Sequence, residues 1–194
     1  YSSNLEEFYK IRVSGYHSSL LESINRDESV EEAFKTIGQI NNEVTAQEKE
    51  YHAIFNNMIL PELKKNSIVL YQTHEVETFH RAYVEKYFNE EVFPYLQPMI
   101  IQKDDIHSFI QDGRIYQAIS LQKKKKKKDA TDKGEYTYAL MKIPYTKIPR
   151  FIELPEHGGN HYILFIDDVI KANMASVFPG YEIVDCFSIK ISRD

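Results

Sequence analysis

The sequence predicts an α+β fold, in which an N-terminal helical bundle is followed by a mixed α/β domain with a largely antiparallel sheet. Apolar residues recur at helical spacing through most of the first 93 positions, whereas alternating, β-rich runs dominate after about residue 100. Three capping-box patterns mark helix starts in the first part of the chain. We place the boundary near residue 70, which gives a helical domain over 1–70 and an α/β domain over 71–194.

The first helix is predicted from about Asn4 to Ile24. Ser3 and Glu6 fit a capping box, in which the serine caps the helix and the glutamate three residues later returns a hydrogen bond. At about 100° per residue, one face of this helix collects the apolar side chains, namely Leu5, Phe8, Tyr9, Val13, Tyr16 and Leu20.

Three further helices are predicted. Ser29-Val30-Glu31-Glu32 is a second capping box, and Thr45-Ala46-Gln47-Glu48 is a third, so each is expected to open its own helix. Pro61 should kink or reset the third helix near its end, because proline lacks a backbone N–H. The fourth helix opens the second domain, runs from His74 to Phe93 and is ended by Pro94 and Pro98.

Strands are predicted in the second domain. Two β-rich runs, Arg114 to Gln122 and Tyr136 to Ile143, flank a long polar loop and are expected to pair antiparallel. A helix should begin near Asp167 and Asp168, whose charges favour a helix N-terminus, and end at Phe178-Pro179-Gly180. The remaining predicted strands are Arg150 to Leu154, Tyr162 to Ile166 and Glu182 to Ser192.

Charge is distributed unevenly along the 194 residues. The formal net charge is −5, but six of the 24 basic residues form the run Lys123 to Lys128. Without that run, 18 basic residues stand against 29 acidic ones, a balance of −11. An acidic body of this kind is not typical of a general nucleic-acid binder. No apolar run approaches the roughly 20 residues that an integral membrane helix needs.

The single cysteine and the two ends of the sequence limit what the chain does alone. One cysteine, Cys186, excludes an internal disulfide framework and a cysteine-based zinc site, and it suits a reducing cytoplasm. The sequence starts at Tyr1, directly before a helix signal, and stops at Asp194 after a strand pattern. We therefore expect a fragment of a longer polypeptide, with a truncated first helix and a truncated C-terminal edge.

The usual catalytic signatures are missing from the sequence. It contains no Gly-rich phosphate loop and no HExxH, GxSxG or GxGxxG pattern. None of the seven histidines has a second histidine and a carboxylate at metal-ligand spacing, so surface or structural roles are the better interpretation. We predict no catalytic residue and no metal ligand within these 194 residues.

Two residues of the first helix are candidates for ligand contact. Arg12 follows Leu5 by seven positions, so a regular helix would place it about 20° from Leu5 within the apolar face. Such an arginine would form an interdomain salt bridge or contact a phosphate. Asn4 lies at the N-terminus of the helix, where its amide could either form hydrogen bonds with the edge of a purine base or cap the helix.

The lysine run has two interpretations. Lys123 to Lys128 could bind a polyanion by releasing condensed counterions. Its position between two predicted strands instead favours a solvated loop with no specific role. From the residues alone, we favour the solvated loop over a polyanion-binding module.

Five ordered segments resemble bacterial polyphosphate kinases of the long, histidine-phosphorylated type. Tyr1 to Val13, YSSNLEEFYKIRV, is similar to that family's N-terminal S-N-L-[DE]-E-F-[FY]-x-[VI]-R-[VF] signature. The other segments are YFNEEVFPYLQP at 87–98, PRFIELP at 149–155, FIDDVI with FPG at 165–170 and 178–180, and SIKISRD at 188–194. Ser188 and Lys190 depart from the family's usual phenylalanine and arginine.

The resemblance implies a fold, an activity and a division of roles. Members transfer the terminal phosphate of ATP reversibly to inorganic polyphosphate through a phosphohistidine. The resemblance places that histidine, a second catalytic histidine and the Mg²⁺ ligands in phospholipase-D-like domains outside this chain, so the fragment alone is predicted inactive. It assigns ATP contact to Asn4, which matches a nucleotide-holding asparagine, and leaves the role of Arg12 open.

Partners and location follow from the same resemblance. It implies a cytoplasmic enzyme, with membrane association left open, that forms a homodimer or homotetramer through its second, head domain. ATP and polyphosphate are the expected partners, without nucleic acid. Two alternatives stay open, a non-enzymatic dimerisation or assembly module and a polyanion-binding module that uses Lys123 to Lys128.

Overall fold

The computed structural model describes residues 1–25, 30–72, 76–101, 109–124 and 136–192. The chain forms two compact units, Tyr1–Glu62, together with the last residues of the chain, and Leu63–Ile191. Among the described residues, no helix combines the length and the hydropathy that crossing a membrane requires.

Helix α1 is one uninterrupted rod with a π turn inside it. It consists of Ser2–Phe8, the π-helical Tyr9–Val13 and Ser14–Asn25. The backbone N–H of Ser14 donates to the carbonyl oxygen of Tyr9, five residues back. The predicted extent is confirmed, but the predicted Ser3 cap is wrong, because Tyr1 occupies the N-cap position and no side chain caps the helix.

Helix α2 is also continuous, which contradicts the prediction of two helices. It runs through Glu31–Ile54, a π turn at Phe55–Ile59 and Leu60–Lys65. Thr45 lies inside the helix. Its hydroxyl donates to the carbonyl oxygen of Asn41 at 2.8 Å and does not cap the start of a separate helix. Pro61 lies two residues after the π turn, and the helix continues past it to Lys65, so it is not reset at this proline. Ser29 lies outside the described residues.

The first unit buries few of its apolar side chains. Among its described residues, Val13 and Leu20 are the two apolar side chains that are buried. Tyr1 stacks on Tyr51 with ring centroids 5.6 Å apart, and the Tyr9 hydroxyl donates to Asn41 Oδ1 at 3.1 Å. Contact between α1 and α2 therefore rests on a few aromatic and polar contacts.

Two sheets build the second unit. Strands β1 (Ile68–Leu70), β6 (Asn160–Phe165) and β5 (Phe151–His157) form the first sheet in the order β1-β6-β5. Strands β2 (Pro98–Ile100), β4 (Tyr136–Lys142), β3 (Arg114–Lys123) and β7 (Tyr181–Ile191) form the second in the order β2-β4-β3-β7. Each pair of neighbouring strands is antiparallel except β1 and β6.

The predicted strands are present, and two short ones were missed. The β3–β4 pair is antiparallel as predicted, with Gln122 opposite Tyr136 at the loop end. Strands β1 and β2 have three residues each, too few to show an alternating pattern. A β-bulge in β7 makes Val184 the extra residue, because its neighbours Ile183 and Asp185 pair with successive residues of β3.

Among the helices that the described residues define, three pack around the sheets. Helix α3 comprises Thr78–Tyr87, a π turn at Phe88–Val92 and a 3₁₀ turn at Phe93–Tyr95. It begins later than predicted: His74 lies outside the described residues, and residues 76–77 are not helical. The predicted helix after Asp167 is two helices, α4 (Ile166–Ala172) and α5 (Met174–Val177), separated at Asn173.

The core of the second unit lies between the sheets and the helices. Side chains alternate along β3 and β4, so every second residue faces this core. Burial of these apolar residues supplies the main stabilisation of the unit. The core includes Val84, Phe88 and Val92 of α3, Ile119 and Leu121 of β3, Ala139 and Met141 of β4, and Ile166, Val169 and Ile170 of α4.

Candidate functional site

A groove between helices α1 and α2 contains Asn4, the predicted nucleotide contact. Its volume is about 570 Å³. Helix α1 and the residue before it supply one wall, and α2 supplies the other. The lining consists of Tyr1, Asn4, Leu5 and Phe8 on one side and Gln39, Ile40, Glu43, Val44 and Gln47 on the other.

Asn4 lies in the first turn of α1 and is exposed. The first helical hydrogen bond runs from the Leu5 N–H to the Tyr1 carbonyl oxygen at 3.0 Å, so Asn4 is already inside the helix. No side chain caps this end, which makes the capping interpretation of Asn4 wrong. Its amide, with two donors and one acceptor, is therefore available to a molecule in the groove.

The groove combines apolar walls with polar groups at fixed positions. Leu5 and Phe8 provide apolar surface on the α1 side. On the α2 side, the Gln47 amide donates to Glu43 Oε1 at 3.1 Å, which orients both side chains along the helix. Partial desolvation raises the pKa of the Tyr1 phenol, and the nearby Glu48 carboxylate raises it further. A flat, mostly apolar ring with polar edges suits such a lining.

Arg12 does not lie in the apolar face of α1. It is exposed, and it makes no ion pair with another described residue. The π turn explains the difference, because it holds an extra residue and shifts the residues after it by up to about 100° on the helical wheel. Val13 takes the inward position instead and is 4% exposed.

Family comparisons cover both units. The sequence model of the polyphosphate kinase N-terminal domain matches residues 1–71, and that of the polyphosphate kinase middle domain matches residues 79–194. The chain belongs to the polyphosphate kinase family. The resemblance drawn from the five sequence segments is thereby confirmed.

Individual relatives agree with this membership. The chain is 27% identical to a polyphosphate kinase of Vibrio cholerae and 25% identical to one of Escherichia coli K12, in each case over 100% of this chain. It spans 27% and 28% of the lengths of those two proteins. The crystal structure of polyphosphate kinase from Porphyromonas gingivalis matches with a TM-score of 0.82 and 38% identity, over 100% of this chain and 27% of that one. The predicted fold class is confirmed.

Sequence reasoning missed a buried polar cluster in the second unit of this polyphosphate kinase family member. The Gln117 amide is fully buried, donates to Ser188 Oγ at 3.1 Å and accepts from Cys186 Sγ at 3.0 Å. It also donates to the backbone carbonyl oxygen of Asp167 at 3.2 Å. A glutamine between strand neighbours carries no pattern that marks it as buried, so no sequence signal identified it.

Asp167 completes that cluster with an unusual carboxylate. The residue is 8% exposed, and its Oδ1 is buried without a hydrogen-bond partner among the described residues. Its Oδ2 lies 3.8 Å from the Arg150 guanidinium. Burial raises the pKa of this carboxyl, Arg150 lowers it and Asp168 raises it, with a net upward shift. The sequence predicted Asp167 as a helix-terminal charge, and it does lie in the first turn of α4.

The described residues also bear on where Mg²⁺ or a polyanion could bind. Within this part of the chain, no group of three or more His, Cys, Asp or Glu is placed to hold a metal ion. Lys123 and Lys124 are exposed at the end of β3. Lys125 to Lys128 lie outside the described residues, so the alternatives for the lysine run stay as predicted.

Proposed function

We propose that the chain provides the N-terminal and head domains of a cytoplasmic enzyme that reversibly transfers the terminal phosphate of ATP to inorganic polyphosphate. The observation that carries this proposal is the match of two family models, which together cover 187 of the 194 residues, counted from their bounds of 1–71 and 79–194. We keep a domain boundary near residue 70 and a homodimer or homotetramer through the head domain as parts of it.

The proposed division of labour follows from the chemistry of phosphoryl transfer. A histidine nucleophile needs cationic groups around the phosphoryl oxygens to neutralise developing charge. This chain is acidic, with 29 acidic residues against 24 basic ones. We therefore place the phosphohistidine, the second catalytic histidine and the Mg²⁺ ligands in domains beyond these 194 residues, with this chain forming one wall of the nucleotide pocket.

Asn4 is the proposed nucleotide contact within this wall. Its exposed amide carries both donors and an acceptor, a combination that can pair with the edge of an adenine ring. The apolar groove beside it would exclude water from that contact. Arg12, exposed on the same helix, is the proposed phosphate or interdomain contact.

A substitution at Asn4 tests the proposal in the enzyme that also carries the catalytic domains. Asn4→Ala should raise the KM for ATP about fivefold, because a net hydrogen bond contributes about 1 kcal/mol. Asn42→Ala is the matched control, since Asn42 is an exposed helical asparagine that does not line the groove. An unchanged KM in the Asn4 variant would remove the ATP role from this residue.

The activity itself is tested with the 194-residue chain. Supplied with ATP and Mg²⁺, this chain should form no polyphosphate, whereas the enzyme with its catalytic domains should. Detectable synthesis by the chain alone would contradict the proposed location of the catalytic groups. A pure assembly module, the alternative function, would show self-association and no change in ATP kinetics when Asn4 is replaced.

A further inference from the structure

A groove of about 570 Å³ lies within the second unit, between helix α3 and the α4–α5 segment. This volume falls inside the approximate range of 300–1,000 Å³ for small-molecule sites. Helix α3 and the residues before it form one wall, and mostly small side chains of α4, α5 and their junction form the other. The described lining consists of Val76, Arg81, Val84, Glu85 and Asn89 on the first side and Ala172, Asn173, Ala175 and Ser176 on the second.

Arg81 and Glu85 supply the two charges of the groove. They lie one turn apart on α3, and both are exposed. Side chains at this spacing are neighbours on the helix surface and commonly form an ion pair. Within the described part of the chain, neither of them makes an ion pair. The guanidinium and the carboxylate are therefore both available to one ligand.

Two asparagines add hydrogen-bond acceptors beside these charges. The Asn89 amide donates to the backbone carbonyl oxygen of Glu85 at 3.0 Å, and the Asn173 amide donates to that of Val169 at 2.8 Å. Because the nitrogen of each amide faces a backbone carbonyl, the amide oxygen, which can only accept, is the end left for a ligand. Asn89 also belongs to the π turn of α3, a helix distortion that is frequent at functional sites.

We propose that this groove binds a guanine nucleoside or nucleotide. Guanine presents O6 and N7 as acceptors on one edge, a pattern that arginine binds with two hydrogen bonds, and we assign this edge to Arg81. The N1–H and the 2-amino group lie on the adjoining edge and donate, which matches the acceptor-only carboxylate of Glu85. Adenine would turn the lone pair of its N1 towards that carboxylate and its amino group towards Arg81, so it should bind more weakly.

The size and the charge of the groove favour a nucleoside over other ligands that carry donors and acceptors. A zwitterionic amino acid could also pair with Arg81 and Glu85, but it would fill only a small part of the groove. A nucleoside adds a ribose, whose hydroxyls can donate to the free oxygens of Asn89 and Asn173. One cation and one anion give the described lining no net charge, so it does not favour a chain of phosphates.

Isothermal titration calorimetry of the whole chain with guanosine, inosine and adenosine monophosphates tests this assignment. The guanosine compound should bind about tenfold more tightly than the adenosine compound, and inosine monophosphate, which lacks the 2-amino group, should lie between them. Glu85→Gln should remove the preference for guanine, because a glutamine amide can pair with adenine. Glu91→Gln is the matched control, since Glu91 is an exposed glutamate of the same helix that does not line the groove, and it should keep the preference.

Three results would overturn the inference: no binding of guanosine monophosphate up to about 5 mM, equal affinity for the guanine and adenine compounds, or the same preference in the Glu85 and Glu91 variants. Binding of free glutamine in its place would give the groove to an amino acid instead. Should Glu85→Gln fail to fold by circular dichroism, Arg81→Gln should lower the affinity for guanosine monophosphate about tenfold. Asn4→Ala should leave that affinity unchanged, which separates this groove from the proposed ATP contact.

Discussion

The imidazole Nε2 of His80 lies 2.7 Å from the backbone carbonyl oxygen of Pro155, 75 positions further along the chain. A carbonyl oxygen can only accept, so in the neutral imidazole Nε2 carries the proton and Nδ1 is the acceptor. The Tyr71 hydroxyl, 2.9 Å away, therefore donates to Nδ1. Both His80 and Tyr71 are buried, so this chain of hydrogen bonds ties α3 to β5 and to the segment after β1.

Removing the Tyr71 hydroxyl should destabilise the second unit. Tyr71→Phe leaves Nδ1 of His80 as a buried acceptor without a partner, which costs about 1–3 kcal/mol. Urea denaturation should show a lower midpoint with an unchanged slope. Tyr83→Phe is the control, because Tyr83 is exposed on the same helix and should change stability by less than about 0.5 kcal/mol. Equal effects in the two variants would disprove the structural role of the hydroxyl.

Asp167 should make stability depend on pH in the direction opposite to most carboxylates. Burial raises the pKa of this carboxyl above its unfolded value, so the group favours the folded state below about pH 3.9. That contribution is lost as pH rises through the folded pKa. An asparagine at position 167 cannot ionise, so the Asp167→Asn variant does not lose this contribution. The free energy of unfolding of the variant minus that of the unsubstituted chain should therefore increase as pH rises from the unfolded pKa to the folded pKa of Asp167.

The measurement compares free energies of unfolding for both proteins at a series of acidic and neutral pH values. The difference between the two curves isolates residue 167 from the other carboxylates. A difference that stays constant with pH, or that shrinks as pH rises, would show that the carboxyl is not destabilised by burial.

Cys186 should react slowly with thiol reagents in the folded protein. Burial raises the pKa of its thiol to about 11. At pH 8 the reactive thiolate is then scarcer than in a free cysteine by on the order of a hundredfold. Alkylation should be correspondingly slow and become fast in denaturant. Cys186→Ser/Ser176→Cys, which moves the one thiol to an exposed position on α5, should react rapidly when folded.

Two glycine substitutions should change stability with opposite signs. Gly180 has a φ of 90°, a conformation that L residues rarely adopt, so Gly180→Ala should cost about 1–2 kcal/mol. Gly38 lies within α2, and an added Cβ there meets no atom within 4 Å. Gly38→Ala should therefore stabilise the helix by about 0.5–1 kcal/mol. Thermal melts of both variants check the signs, and a destabilising Gly38→Ala would contradict the helical assignment.

Most strands could be predicted because they carry local patterns. Strands β3, β4 and β7 are long enough to show β-rich or alternating runs, and the turn at Phe178-Pro179-Gly180 separates α5 from β7 as expected. The parallel pairing of β1 with β6 joins residues more than 90 positions apart. A strand of three residues has too short a sequence pattern to predict which strand it pairs with. Long-range pairing is set by the packed core, which local patterns do not encode.

The helical region shows the limits of local rules in another way. Thr45-Ala46-Gln47-Glu48 satisfies the capping box, yet strong helix formers on both sides let α2 continue through it. Asn4 could be singled out because of its place at the start of a helix. The orientation of Arg12 could not be predicted, because a π turn changes the angular step that a helical wheel takes as constant.

The unequal cores of the two units have a consequence for how the chain unfolds. Every residue of the main apolar core belongs to Leu63–Ile191, whereas the described part of Tyr1–Glu62 buries two apolar side chains. Segments with few buried contacts open at low free energy. Backbone amides of α1 and α2 should thus exchange with deuterium before those of β3 and β4, and heating should melt the helical unit in an earlier, shallower transition.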